Sequence, residues 1–172
     1  MVIEISQDTL EDFGDVQKTL QHIIDVIEAR YASAGVPLPS RAYTAVGDVG
    51  SSIALDCEQF TVNFVQAYLG LPGQPDLQPK GCLRVMSGDF VVQVTRCIPT
   101  PTTTSRGVKP PAVEKIEAST VVQAVDAQIL LESAYELSSL EGVSATVAAS
   151  GVSGEYQSMM LNVSVSLFGD DR

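Results

Sequence analysis

The chain has 172 residues, 45% hydrophobic but only 6% aromatic, with no Trp and a formal net charge of −11. That length suits one domain spanning residues 1–172, with a core filled by small and β-branched side chains. The charge excludes a conventional nucleic-acid-binding surface, which neutralises phosphates with Lys and Arg. It also excludes attraction to an anionic membrane.

The three cysteines, Cys57, Cys82 and Cys97, form no CxxC or Cys/His ligand pattern. His22 is the only histidine, so one chain cannot build a His-rich metal site. Reduced thiols in a cytoplasmic setting are expected. No apolar run approaches the ~20 residues of a membrane span. The acidic opening MVIEISQDTLEDF does not have the layout of a signal peptide.

Residues 6–33 are expected to form a helix. Ser6 or Asp8 caps it, and Phe13, Val16, Leu20, Ile23, Ile24, Ile27 and Tyr31 recur at helical spacing. Gly35 and Pro37 end it. A short strand follows near Tyr43–Val46, then a turn at GDVGSS.

Residues 53–68 are expected to form a long strand. Its apolar parity switches between Cys57 and Phe60, which predicts a β-bulge near Glu58. GLPGQPDLQPKG holds three of the nine prolines and reads as a loop. Residues 84–98 form the next strand, with Phe90, Val92 and Val94 on one face. An antiparallel pairing that sets Phe60 opposite Val94 and Phe64 opposite Phe90 also sets Cys57 opposite Cys97. A Cys57–Cys97 disulfide is conditional on that register.

PTPTTTSRGVKPP reads as a second, mobile loop, rich in Thr and Pro. Pro111 is expected to start a helix running to about residue 140, burying Ile116, Ala118, Val122, Val125, Ile129 and Leu137. Gly142 is its expected C-cap, and AASGVSG a flexible turn. The last strand, 156–168, alternates Met159, Leu161, Val163, Val165 and Leu167 with Ser158, Asn162, Ser164 and Ser166. The order α-β-β-β-α-β predicts an α+β fold: a mostly antiparallel sheet with two long helices on one face.

Candidate chemistry is sparse. Cys57 lies between Asp56 and Glu58, and acids oppose the lowered thiol pKa that a nucleophile needs. A packed, structural Cys57 is the plainer reading. Asp56 and Glu58 share a strand face as paired catalytic carboxylates do, but so do solvated strand acids. His22 and Asp25 sit three apart on a helix and can touch. The glycine clusters lack P-loop spacing. No catalytic residue, cofactor or metal is expected.

The segments VPLPSRAYTAVGDV, DCEQFTVNFVQAYLGLPGQP and FVVQVTRCIPT, within roughly residues 36–100, resemble a small structural protein of long-tailed actinobacterial phages, encoded among head–tail connector genes. The element order is similar to that of tail terminators of lambda-like siphophages. The resemblance implies a hexameric ring in the virion neck, assembled in the host cytoplasm. Such a ring caps the tail tube protein, docks on the head completion (stopper) protein, and lets DNA pass without specific binding. It implies no catalytic or cofactor residues. An acidic wall suits DNA passage; the uncharged polar strand positions Gln59, Thr61, Asn63, Ser158, Asn162, Ser164 and Ser166 suit a channel lining or a surface packed against neighbours, and read equally as ordinary solvated strand faces. The alternatives are a head–tail stopper or adaptor and, in a different class, a small cytoplasmic enzyme or binding domain. Interface or channel candidates are Asp56, Glu58, Lys80, Arg84, Arg106 and Lys109. The last four are basic, out of ten Lys and Arg in the chain, and lie in or beside the two long loops.

Overall fold

The computed structural model describes residues 15–47, 58–75, 85–139, 143–150 and 155–167. Helix α1 spans Asp15–Ala34. Gly35 ends it at φ 66°, a left-handed conformation that a side chain would resist. Its N–H bonds the Ala32 carbonyl, and the Val36 N–H bonds that of Tyr31, so two last-turn acceptors are satisfied. The expected caps Ser6 and Asp8, and Phe13, lie outside the described residues.

Strands β1 (Arg41–Val46), β2 (Gln59–Leu71), β3 (Gln74–Pro75) and β4 (Met86–Cys97) follow. A small pair, β5 (Thr102–Thr104) and β6 (Gly107–Lys109), precedes helix α2 (Val113–Ser138). The chain closes with β7 (Val143–Ala149) and β8 (Tyr156–Ser166). The main sheet runs β1-β2-β4-β8-β7, with β3 paired to β2. Among the described residues only the β1–β2 pairing is parallel. The fold is α+β, as the sequence pattern predicts.

The central register is the expected one. Phe60 faces Val94, Val62 faces Val92 and Phe64 faces Phe90. The two phenylalanine rings meet at 5.5 Å and 56°, a tilted contact that aromatic pairs favour. β8 continues the layer, with Met159, Leu161 and Val163 opposite Val94, Val92 and Phe90. Helix α1 closes over it with Leu20, Ile23, Ile27 and Tyr31, and α2 with Ile129, Leu130, Ala134 and Leu137. Burying each large aliphatic or aromatic side chain contributes about 1.5–3 kcal/mol.

Several expectations are corrected. The β2–β4 register shifts between Phe64 and Gln66, an irregularity at Val65 that the pattern did not predict; Cys57, where the expected bulge begins, lies outside the described residues. Beyond Val65 β2 leaves the core, and Gln66, Ala67 and Leu69 are exposed. The Thr- and Pro-rich segment contains the β5–β6 hairpin, closed by Ser105-Arg106 and by Gly107 at φ 123°. Helix α2 begins at Val113 with Ala112 as N-cap, so Pro111 stands just outside it. It ends with Ser139 as C-cap; Gly142 lies outside the described residues. A strand the pattern did not predict, β7, forms the sheet edge next to β8.

The stripe on α2 is also rotated from expectation. Ile129 and Leu137 are buried, but Ile116, Ala118 and Val122 are exposed. The buried line is Gln123, Asp126, Leu130, Ser133 and Leu137, at the three-and-four spacing of one helix face. It is half polar, which is why an apolar-only reading missed it.

Candidate functional site

The densest polar constellation gathers where the end of α1 meets α2 and the ends of β2 and β4. Its centre is Arg96, the penultimate residue of β4. Parity alone would aim Arg96 at the core face, the face of Val94 and Val92. A guanidinium there has to find partners for its donors, because a buried unpaired charge is costly.

Four hydrogen bonds supply them. Nε donates to Asp126 Oδ2 at 2.9 Å and Nη2 to Asp126 Oδ1 at 3.0 Å, a two-point pair. Nη1 donates to Glu58 Oε2 at 2.9 Å, and Nη2 also to the Pro37 carbonyl at 3.1 Å. Asp126 is fully buried and takes a third hydrogen bond, from the Tyr31 hydroxyl at 2.8 Å. Burial of Tyr31 pushes its phenol far above the ordinary 10.0, and the Asp126 carboxylate pushes it further. For Arg96, burial alone would lower the guanidinium; the hydrogen bonds and charge of Asp126, then those of Glu58, outweigh it and hold the cation above its usual range.

A cavity of about 350 Å³ opens beside this cluster, lined by Val36, Pro37, Glu58, Arg96, Ser119 and Val122, with Cys97 at its edge. The guanidinium is held by carboxylates and a carbonyl, and the phenol stays protonated across the neutral range. Among the described residues no group of three His, Cys, Asp or Glu side chains is placed to hold a metal. The cluster therefore acts as a clamp: two elements of the helical layer and two strands are tied at one point.

Of the residues singled out in the sequence, Glu58 belongs to this clamp. It pairs with Arg96, and its second oxygen accepts from the Cys97 N–H at 3.4 Å. Asp56, Lys80 and Arg84 lie outside the described residues. Arg106 and Lys109 sit on the exposed β5–β6 hairpin and form no hydrogen bond or ion pair with the clamp residues. His22 and Asp25 are both exposed, and Asp25 accepts from Gln21 at 2.8 Å. Arg96 and Asp126 carry the constellation with Tyr31; the two charged residues were not singled out, and Tyr31 was named only for the buried stripe of α1. The available signal was a charged residue at a core-parity position in each of β4 and α2.

Cys97 corrects the expectation of reduced thiols, because it is disulfide-bonded. It stands at the exposed end of β4, where a cross-link does not displace core packing. Cys57 and Cys82 lie outside the described residues. Of the strand positions read as a polar face, Gln59, Thr61, Asn63 and Ser158 are buried, Ser164 and Ser166 are half-buried, and Asn162 is exposed. Ser158 joins Gln93 and Thr95 in a hydrogen-bonded cluster on the sheet face opposite the helices. A second network on that face centres on Asp89, which accepts from Tyr68, Gln66 and Ser164.

No family model and no curated protein matches this chain. Among the described residues, no helix is long and apolar enough to cross a membrane.

Proposed function

We propose that the chain is a structural subunit of a phage neck, a tail terminator that assembles as a ring at the head-proximal end of the tail tube. The observation that carries this reading is the resemblance within residues 36–100, set in a chain whose two long helices pack on one face of a mostly antiparallel sheet. In this role the ring ends tail polymerisation, meets the head completion protein and passes DNA. A net charge of −11 per copy supports passage without binding, since repeated acids repel the phosphate backbone. The clamp at Arg96 supports a load-carrying part: it fixes helices to sheet through charge-assisted bonds. Two long helices favour a terminator over a stopper, whose core would be small and all β.

The test is compositional and structural. Purified particles are analysed by mass spectrometry, and their necks by electron cryomicroscopy. The expected result is this chain in a ring of six between tube and head. Its absence from particles, or a single copy at the neck, overturns the proposal.

A further inference from the structure

Every residue from 101 to 110 is exposed, so the β5–β6 hairpin stands away from the body as a short arm at the start of α2. From Ile98 to Val113 the sequence holds no acid and two cations, Arg106 and Lys109. Between them sits Val108, 69% exposed. Neither cation forms an ion pair among the described residues. In a chain of −11, this arm is a local reversal of sign with an apolar residue at its centre.

A surface of the opposite kind lies farther along α2. Leu131 is 55% exposed and Tyr135 78% exposed. They are four residues apart and so lie one turn apart on the same helix face. Glu132 stands beside them, also exposed. It accepts a neutral hydrogen bond from Gln128 Nε2 at 2.9 Å and has no cationic partner among the described residues. An apolar pair beside an acid matches a narrow arm that carries Val108 on one face, Lys109 on the other and Arg106 at its tip, where long basic side chains can reach round to the acid.

The arm cannot reach this surface on its own chain. Val108 precedes Val113 by five residues, at most ~18 Å of extended backbone. Leu131 lies eighteen residues beyond Val113 in a continuous helix, about 27 Å away by helical rise. The partner that fits is a second copy.

We propose that the β5–β6 arm of one copy docks on the Leu131–Tyr135 face of α2 in the next copy, with Arg106 and Lys109 beside Glu132. Donor and acceptor are different surfaces of the same chain, so the contact is head-to-tail, the kind that closes rings. The proposal rests on the ring reading for its biological setting but not for its geometry. Charge complementarity of this kind fixes orientation and partner choice more than raw affinity.

The full chain is studied in solution at high concentration. Isotopically light and heavy copies are mixed and joined with a carbodiimide, which links Lys109 to Glu132 only where the two meet. Self-association is followed by sedimentation velocity for the native chain, for R106E/K109E and for R106E/K109E/E132K. The expected results are a light–heavy Lys109–Glu132 cross-link, association at least about tenfold weaker in the double variant, and recovery in the triple variant. A native chain that stays monomeric without cross-links overturns the proposal, as does unchanged association in the double variant. Loss of duplex DNA retention in the double variant with association intact overturns it too, and assigns the arm to nucleic acid. The two readings fail separately. Particle necks with a ring whose arms lie elsewhere sink the arm contact alone. Arm-dependent association of a chain absent from particles sinks the neck role alone.

Discussion

Replacing Arg96 with Met removes the hub of the clamp and keeps most of its hydrophobic stem. Asp126, fully buried, then loses bonds at 2.9 and 3.0 Å and keeps only the Tyr31 hydroxyl at 2.8 Å. Breaking a buried pair by removing one partner costs about 3–5 kcal/mol, because the other group stays desolvated. The Glu58 arm of the cluster adds little. Its side chain is 42% exposed, and exposed pairs contribute under ~1 kcal/mol. The expected loss for Arg96→Met is therefore about 3–5 kcal/mol, much of the ~5–15 kcal/mol that holds a domain folded. The double variant Arg96→Met/Asp126→Leu strands no buried carboxyl group. It is expected to be at least ~2 kcal/mol more stable than the sum of the single losses implies. Urea unfolding followed by circular dichroism measures both, with the disulfide of neighbouring Cys97 kept oxidised in every variant. An Arg96→Met loss below ~1 kcal/mol, or strict additivity in the cycle, would refute the assignment of Arg96 and Asp126 as a coupled buried pair.

The phenol of Tyr31 gives a pH signature. Its folded value lies above the unfolded 10.0, so its stabilisation is complete below about pH 10 and is lost as pH rises further. The native chain should lose about 1.4 kcal/mol more per pH unit above pH 10 than Tyr31→Phe does; equal slopes in alkaline unfolding would contradict the burial argument. For the disulfide, the regular register from Gln59↔Thr95, extended two residues, sets position 57 opposite 97. Non-reducing peptide mapping is expected to link Cys97 to Cys57, and a link to Cys82 would show that the register does not continue.

Much of the fold was legible because local physics decides it. Phe60, Val62 and Phe64 alternate on β2, as do Phe90, Val92 and Val94 on β4, and the antiparallel register that sets all three against all three puts both sets on one buried face; a one-residue slip would turn one set outward. Gly35 stops α1 because it accepts a left-handed φ that the last turn needs. The face of α2 was not legible. Its buried line runs through Gln123, Asp126 and Ser133, and a polar residue is buried only when a partner awaits it. Ser133 answers itself by donating to the Ile129 carbonyl. Asp126 depends on Arg96 and Tyr31, thirty and ninety-five positions away.

The strand β7 and the buried side of β2 depended on the tertiary structure in the same way. Val143–Ala149 is short and rich in small residues, and it becomes a strand because β8 offers an unpaired edge. Gln59, Thr61 and Asn63 read as a solvated face by composition, yet they are 0%, 1% and 2% exposed. Alternation in sequence tells which residues share a face; it carries no information about what packs over that face. The sequence by itself therefore determined the two helices, the long strands β2, β4 and β8, the β2–β4 register and the chain's acidity. Only the assembled structure decided where the charges are buried, because pairing Arg96 with Asp126 needs elements that the chain brings together only on folding.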